Sequence, residues 1–290
     1  MRFLLSFYLS VLIQICTIAH VYAETVRPKI SVICPTYNRP DKHANLYQAF
    51  AWQNYENKEL LVLDDSPTPS SFFLQLQDDR VSYYHMPKRL SIGFKRNYLN
   101  EKASGEVIAH FDDDDYYAPT YLAEMINQMG DADLIKLSRW LAYRELDESL
   151  WEWDTNVVGD SHYQLSGNSN TNLLVKTAPL FESKEQVNEW KDANTWGYGF
   201  SYIYKKSLWK ECSFEDVNGG EDLRFILKAK ALKKNLHHVP DFNHLVIHTL
   251  HAKSTSSIFP QHQLSSSILE EKTKPWVTNV LTPKQKSQWN

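Results

Sequence analysis

The chain has 290 residues, of which 42% are hydrophobic and 23% are charged, and its formal net charge is -4. This apolar fraction can build a sizeable core, which excludes disorder as the main state, and the length allows one large α/β domain or two small ones. The mild negative charge and the local grouping of basic residues argue against nucleic acid as a partner.

The first 23 residues differ in composition from the rest of the chain. Residues 3–22 are almost entirely apolar, follow Arg2 and lead into Val21-Tyr22-Ala23. This pattern predicts a signal peptide over residues 1–23, and therefore a secreted or exported protein of the secretory pathway. An uncleaved type II membrane anchor is the alternative, since about 20 apolar residues can span a bilayer. We expect membrane contact only in that case.

From residue 29 onward, short apolar runs alternate with amphipathic stretches. The pattern predicts strands near 30–34, 59–63, 81–84 and 106–111, and helices near 41–52, 69–78, 91–103 and 119–129. Such alternation is typical of βαβ units, so we expect an α/β fold with a Rossmann-like, mostly parallel sheet and helices on both faces. Ligands of such sheets bind beyond the carboxyl ends of the strands. The segments 35–39, 64–66 and 112–115 should therefore meet at one crevice.

The second half of the chain is less regular. It predicts strands near 133–137, 200–204 and 245–250 and a helix near 221–233. Residues 140–196 contain five of the nine tryptophans and little periodicity, which indicates an elaborated surface or an insertion. Tryptophan rings can stack on sugars or fill a core, and we expect core or mixed roles. A polar tail is predicted over residues 257–290.

Four consecutive aspartates, residues 112–115, follow the apolar run 107–111. Unit charges about 4 Å apart repel by roughly 1 kcal/mol even in bulk water. A hard divalent cation such as Mn²⁺ or Mg²⁺ relieves that repulsion, and a solvated acidic loop is the alternative. An EF-hand calcium loop is excluded, because Tyr117 and Ala123 stand where that loop needs Gly and Glu.

Five short motifs occur in a consistent order, at residues 33–39, 52–66, 93–97, 105–115 and 219–222. Together they resemble family 2 glycosyltransferases of the GT-A fold over roughly residues 29–256. The resemblance implies a GT-A domain over residues 24–256 and a metal-dependent, inverting enzyme. It would move a sugar from a nucleotide-sugar, usually a UDP-sugar, to a hydroxyl of an unknown glycan, protein or lipid acceptor.

The resemblance also implies which residues bind the donor. Either Asp64 or Asp65 would accept a hydrogen bond from the base, and the tandem pair leaves the choice open. Asp114 and Asp112 would hold the metal, with His251 as a possible third ligand, while Asp113 falls in the variable place of the motif. We therefore expect alanine at Asp113 to be the mildest change in the run. The full predicted donor set is Pro35, Thr36, Tyr37, Arg39, Asp64, Asp65, Arg96, Asp112, Asp113 and Asp115.

Glu221 and Asp222 follow two glycines and begin an amphipathic helix. A helix N-terminus favours ionised carboxylates, and simple capping is the alternative explanation. The resemblance implies that Asp222 is the general base for the acceptor hydroxyl and that Glu221 orients the acceptor or the base. In-line attack opposite the diphosphate would invert the anomeric centre.

The sequence also allows a zinc site and two alternative functions to be considered. The spacing of His244, His248 and His251 would suit zinc on a helix, but the β-branched residues around them predict a strand. A sugar-phosphate nucleotidyltransferase is disfavoured, because such enzymes carry a glycine-rich loop where this chain has residues 35–39. A non-catalytic nucleotide- or carbohydrate-binding protein of the same fold stays open as the main alternative.

Overall fold

A computed structural model describes residues 27–145, 149–156, 163–166, 173–176, 183–251 and 262–264. The predicted signal peptide and most of the predicted tail lie outside these residues, and so do parts of the tryptophan-rich stretch. Within the described ranges, no helix has the length and apolar character needed to cross a bilayer.

The first half of the chain alternates strands and helices. Its elements are β1 (Ile30–Thr36), α1 (His43–Ala51), β2 (Lys58–Asp64), α2 (Ser71–Gln75), β3 (Val81–His85), α3 (Ile92–Lys102), β4 (Val107–His110), β5 (Tyr116–Tyr117) and α4 (Tyr121–Met129). Apart from the short β5, which the hydrophobic pattern does not predict, these bounds agree with the predicted strands and helices. The exception in length is α2, which is shorter than predicted.

The second half contains more strands than its sequence pattern indicates. Its elements are β6 (Leu134–Arg144), β7 (Ser149–Asp154), β8 (Tyr163–Ser166), β9 (Leu173–Lys176), α5 (Lys184–Trp196), a 3-10 turn (Gly199–Ser201), β10 (Ile203–Lys205), α6 (Lys206–Cys212), α7 (Glu221–Ala231), β11 (Leu236–Pro240), β12 (Val246–Leu250) and β13 (His262–Leu264).

Eleven of the described strands form one mixed sheet in the order β13-β7-β6-β10-β4-β1-β2-β3, with β11 and β12 paired to β6, and β5 paired to β12. Strands β1 to β4 are parallel, and β10 runs antiparallel between β4 and β6. Strand β1 has β2 as its neighbour on one side and β4 as its neighbour on the other. The carboxyl ends of β1 and β4 therefore flank a topological switch point, where sheets of this kind bind ligands.

Helices cover both faces of the parallel part, as predicted. Val32 and Leu60 pack into one buried cluster with residues of α1 and α4. The alternate positions Ile33 and Leu61 pack into a second cluster with residues of α3, α6 and α7. Because strand side chains alternate between faces, this distribution places a helical layer on each side of the sheet. The predicted α/β class is confirmed.

Strand β6 extends seven residues beyond the predicted strand end at 137 and is buried along nearly its whole length. A strand buried on both faces shows no alternation of apolar and polar residues, which explains why its pattern was not visible. Trp140 and Trp153 lie on β6 and β7, and their ring centroids are 5.1 Å apart. Both are buried, so these tryptophans fill the core.

Helix α3 begins against a loop that follows α6. The Ser91 hydroxyl accepts a hydrogen bond from the Phe94 amide and caps the helix. A Cβ atom at Gly93 would lie 1.7 Å from the carbonyl oxygen of Glu215, so only glycine allows the two backbones to approach this closely.

We expect Gly93→Ala to lower the free energy of unfolding by about 2 kcal/mol or more, because the added methyl group forces the backbone near residue 215 to move. Urea denaturation followed by tryptophan fluorescence measures this. Glu101→Ala, at an exposed position near the end of the same helix, is the control and should change it by less than about 0.5 kcal/mol. Equal midpoints for the two variants would contradict the close approach.

Candidate active site

A cleft of about 750 Å³ opens beside the carboxyl ends of β1 and β4. Its walls are the loop 35–39 after β1, the start of α3, the aspartates at 112 and 113, residues 193–194 and 197–200, and residues 219–223 at the start of α7. Three of the predicted motifs thus lie in one cleft with the predicted general base.

Asp113 is not the spare residue that its place in the motif suggests. It is buried, and its carboxylate accepts hydrogen bonds from the Thr36 hydroxyl at 2.5 Å and from the Arg39 guanidinium at 2.7 Å. His43 supports this contact from α1, because its Nε2 atom lies 3.3 Å from the Thr36 hydroxyl and its Nδ1 atom 2.7 Å from the Ser70 hydroxyl. Asp113 therefore ties β4 to the loop after β1.

Asp114 is held between two nitrogen donors. Arg39 donates to it at 2.6 Å, and the Nε2 atom of His251 donates at the same distance. Burial raises the pKa of Asp114, but the His251 hydrogen bond and the Arg39 charge outweigh burial and lower that pKa to about 2. The predicted metal residues Asp114 and His251 are thus in direct contact.

Asp115 is not on the cleft wall and contacts β12. Its carboxylate accepts hydrogen bonds from the His248 ring at 2.7 Å and from the Thr249 amide at 2.8 Å. Burial lowers the pKa of His248, but the adjacent Asp115 charge outweighs burial and raises that pKa to about 9. The sequence did not mark His248 as a partner of the aspartates, because its role depends on the pairing of β12 beside them.

Within the part of the chain that the structure describes, Asp112, Asp114 and Asp115 are placed so that they could hold a metal ion. A carboxylate oxygen of each lies within 4.8 Å of an oxygen of the other two. Burial, together with the charges of Asp115 and Asp114, raises the pKa of Asp112 to about 7. Three carboxylates this close together supply the hard oxygen ligands that Mg²⁺ and Mn²⁺ prefer. The raised pKa of Asp112 reflects negative charge that such a cation would neutralise.

Neither member of the predicted base-binding pair lies on the cleft wall that the described residues form. Asp64 accepts hydrogen bonds from the Ser66 amide at 2.9 Å and from the Tyr83 hydroxyl at 2.8 Å. Asp65 is paired with Arg89 and with the buried Lys95, at 2.8 and 2.7 Å. The two aspartates therefore hold neighbouring residues, and Arg89 and Lys95 reach the cleft in their place.

Tyr37 stands at the edge of this part of the cleft with 37% of its surface exposed. The Arg89 guanidinium lies 3.7 Å from the centroid of the Tyr37 ring. An exposed aromatic ring with a cation over its face can stack with a planar ligand group.

Arg96 and Glu221 form a buried ion pair at 2.7 Å, which joins α3 to the first turn of α7. The second carboxylate oxygen of Glu221 and the Nε atom of Arg96 are buried and have no hydrogen-bond partner among the described residues. An unpartnered oxygen beside a cleft can accept a hydrogen bond from a ligand hydroxyl. The sequence predicts that Arg96 contacts the donor, whereas in the structure its guanidinium group is paired with Glu221.

Asp222 lies beside this pair at the start of α7. Its carboxylate accepts hydrogen bonds from the Gly199 amide at 3.0 Å and from the Leu223 amide at 2.7 Å. Burial raises the pKa of Asp222, and the Arg96 charge opposes that rise. A carboxylate with a raised pKa in a cleft is suited to proton transfer.

The segment 195–201 carries Gly199, and buried side chains hold it along its length. Five of its carbonyl oxygens accept hydrogen bonds from different residues, namely Lys136, Tyr202, His110, Tyr117 and Tyr121. The Tyr117 hydroxyl, 2.9 Å from the Phe200 carbonyl, also accepts a hydrogen bond from the Asp112 amide at 3.0 Å. One segment therefore connects the aspartate run to Asp222.

The sequence did not identify these supporting residues. They are scattered from β4 to β10, and no spacing rule relates them. A buried histidine, lysine and tyrosine in otherwise apolar strands were the only signal available, and each alone is more often a core residue.

Comparison with known proteins gives a match to the model of glycosyl transferase family 2 over residues 31–211. The chain is 35% identical over 195 residues to a GalNAc(5)-diNAcBac-PP-undecaprenol beta-1,3-glucosyltransferase from Campylobacter jejuni, covering 64% of this chain and 62% of the relative. It is 30% identical over 124 residues to an uncharacterized glycosyltransferase from Haemophilus influenzae, covering 41% of this chain and 50% of that relative. In both cases the match spans less than two thirds of the relative's length.

Two solved structures share the fold. The mannosyltransferase PcManGT from Pyrobaculum calidifontis, in complex with GDP-Man and Mn²⁺, aligns with a TM-score of 0.53 at 15% identity, covering 80% of this chain and 59% of that one. Residues 1–349 of TarS from S. aureus, in complex with UDP-GlcNAc, align with a TM-score of 0.54 at 18% identity, covering 90% and 70%.

The contacts of Asp113 reverse the expectation that its alanine variant is mild. We expect Asp113→Ala to lower the free energy of unfolding by about 1–3 kcal/mol, because the buried Thr36 hydroxyl and Arg39 lose an acceptor. Urea denaturation is the measurement, with the exposed Asp79→Ala as a matched control. Wild-type stability in Asp113→Ala would restore the interpretation of Asp113 as a spare residue.

Proposed function

Since the chain belongs to glycosyl transferase family 2, we propose that it transfers a sugar from a nucleotide-sugar donor to an acceptor hydroxyl, in a metal-dependent and inverting reaction. The observation that carries this proposal is the presence, in one cleft, of Asp112 from the metal-competent group and of Asp222 with its raised pKa. Donor activation and acceptor deprotonation need groups of these two kinds.

The metal would be Mn²⁺ or Mg²⁺, held by Asp114 and Asp112 with Asp115 close by. Such an ion, when bound, neutralises the negative charge that grows on a leaving diphosphate. The solved mannosyltransferase of the same fold is in complex with Mn²⁺, which supports this choice. His251 donates to Asp114 at 2.6 Å, so it either orients that carboxylate or joins the ligand set.

The donor is most simply a UDP-sugar. The loop 35–39 places Pro35, Thr36 and Tyr37 on the cleft wall, where the Tyr37 ring is exposed for stacking with a base. Arg39 and Lys95 lie at the same wall and supply positive charge for a diphosphate. The TarS structure of the same fold holds UDP-GlcNAc, whereas the mannosyltransferase holds GDP-Man, so a donor panel must include both nucleotides.

Asp222 would take the proton from the acceptor hydroxyl. The Gly199 and Leu223 amides fix the orientation of its carboxylate, and burial brings its pKa closer to the working pH. The unpartnered oxygen of Glu221 lies in the same cleft and would orient the acceptor. Attack from the side of Asp222, opposite the diphosphate, would invert the anomeric centre.

The acceptor would be a glycan, protein or lipid. The relative from Campylobacter jejuni is named for a polyprenyl-diphosphate-linked oligosaccharide, which supports a lipid-linked sugar as the first acceptor to test. For location we propose the secretory pathway or export, from the apolar residues 3–22 alone.

Removal of one metal ligand tests the metal dependence. We expect Asp114→Ala to weaken Mn²⁺-dependent UDP binding by roughly tenfold or more, since even indirect changes around metal sites cost 10- to 100-fold. Isothermal titration with UDP in the presence of Mn²⁺ or of a chelator measures this, and Asp79→Ala is the control. Absence of binding by the wild-type protein to both UDP and GDP would overturn the proposed function.

Removal of the general base separates a transferase from a non-catalytic binder. We expect Asp222→Asn to lower kcat by about 10²- to 10⁴-fold, with nucleotide affinity retained, because asparagine still accepts the Gly199 amide. The assay is release of free nucleotide from UDP-glucose, UDP-GlcNAc and GDP-mannose with Mn²⁺. Equal turnover by Asp222→Asn and wild type would assign the base to another residue, and no turnover by wild type would favour a binding protein.

A further inference from the structure

Lys136 is a fully buried lysine that the proposed reaction does not use. It lies on β6 with 0% of its surface exposed, and its Nζ atom donates to the Thr195 carbonyl. Thr195 belongs to the last turn of α5, where helix carbonyl oxygens lack partners within the helix. No carboxylate of the described residues forms an ion pair with Lys136.

Aromatic rings surround the ammonium group. Its Nζ atom lies 5.5 Å from the centroid of Trp140, 5.9 Å from that of Tyr202 and 6.0 Å from that of Tyr198. Ring faces attract a cation, but three such contacts and one hydrogen bond replace much less than the hydration that burial removes. Accordingly, burial lowers the pKa of Lys136 to about 7, although the charge of Asp222 opposes the shift.

The surroundings of Lys136 lead directly to Asp222. Tyr198 and Tyr202 flank Lys136, and the Asp222 charge raises the pKa of both tyrosines in addition to the effect of burial. Tyr198 precedes Gly199, whose amide donates to the Asp222 carboxylate at 3.0 Å. Lys136 thus lies behind the segment that holds the proposed base.

The charged side chains around Asp222 are Arg96 and Glu221 on one side and Lys136 on the other. Arg96 and Glu221 are its charged neighbours on α3 and α7, and they form an ion pair of no net charge. On the side of β6, the charge of Asp222 acts to raise the pKa of Lys136, so the ammonium group and the carboxylate attract each other. His238 on β11 faces Lys136 as well, and burial and the Lys136 charge lower its pKa, so it favours the neutral form.

We propose that Lys136 is a positioning residue for the general base. Its ammonium group holds the last turn of α5 behind the cleft and adds, to the charge of Arg96, a positive potential that favours the ionised form of Asp222. This inference rests on the proposed role of Asp222, and it assigns a function to a lysine that no motif contains.

The test compares Lys136→Met, which removes the charge and the hydrogen bond, with Lys136→Gln, which removes the charge but keeps a donor for the Thr195 carbonyl. The measurement is the pH dependence of kcat/KM for nucleotide release from the most active donor of the panel, with water as the acceptor. Without a nearby cation the pKa of Asp222 rises, so Asp222 becomes protonated at a higher pH. We expect the acidic limb to move to higher pH by about half a unit or more in both variants, which is about a threefold loss of rate at a fixed pH on that limb.

A matched control is Lys58→Met. Lys58 is also buried, donates to the carbonyl oxygens of Gln53 and Tyr55, and lies 5.4 Å from the Phe50 ring centroid, but it is on β2 and its pKa is not affected by Asp222. The acidic limb of this variant should stay at the wild-type pH. A wild-type limb in both Lys136 variants overturns the inference, and a shift in Lys136→Met alone would assign the effect to the hydrogen bond and overturn the electrostatic role.

Thermal stability provides a readout that does not need turnover. A lysine whose pKa is about 7 when folded and about 10.4 when unfolded loses stabilising free energy as the pH falls from 10.4 toward 7. Lys136→Met lacks this slope, so its Tm relative to wild type should be highest at pH 7 and should decline toward pH 10. Parallel Tm curves would show that burial does not lower the pKa of Lys136 and would contradict the environment from which the inference is drawn. Absence of wild-type turnover, by contrast, would reject the proposed function and leave this stability result unaffected.

Discussion

The mutual repulsion of four consecutive carboxylates is the constraint on which the site depends. The fold answers it by giving the aspartates different partners. Asp113 is bound by Thr36 and Arg39, Asp114 by Arg39 and His251, and Asp115 by His248 and the Thr249 amide. The charge that stays incompletely neutralised is concentrated near Asp112, whose pKa rises to about 7. A divalent cation beside Asp112 and Asp114 would complete the compensation.

The partners come from distant parts of the chain, and this makes the site sensitive to the whole sheet. Arg39 follows β1, whereas His248 and His251 belong to β12 and its end. β12 reaches the aspartates because it pairs with β5 and β6. The late strands of the second half thus complete a site that the parallel first half begins, and the long, buried β6 connects the two halves.

The other side of the cleft is held in place by hydrogen bonds from buried side chains to the backbone. Residues 195–201 run from the end of α5 through the 3-10 turn, and buried side chains satisfy most of their carbonyl oxygens. Unpaired buried carbonyl groups are costly, so these contacts hold the segment in one conformation. Because Gly199 binds Asp222 and Tyr117 binds both Phe200 and the Asp112 amide, one short segment holds both Asp222 and the start of the aspartate run. Lys136 adds a charge to that support.

The sequence by itself determined the α/β class, the strand and helix order of the first half, and the four motifs that line the cleft, at residues 33–39, 93–97, 105–115 and 219–222, because hydrophobic periodicity and motif spacing are local properties. The tertiary structure decided what each motif residue contacts. It engaged Asp113 with Thr36 and Arg39, turned Asp64 and Asp65 toward Tyr83 and Lys95, and extended β6 through a stretch without visible alternation. It also brought His248 and Lys136 to the site. Such contacts depend on the pairing of strands that are distant in sequence, such as β12 with β5, and on burial from both faces, and neither leaves a periodic signal in the sequence.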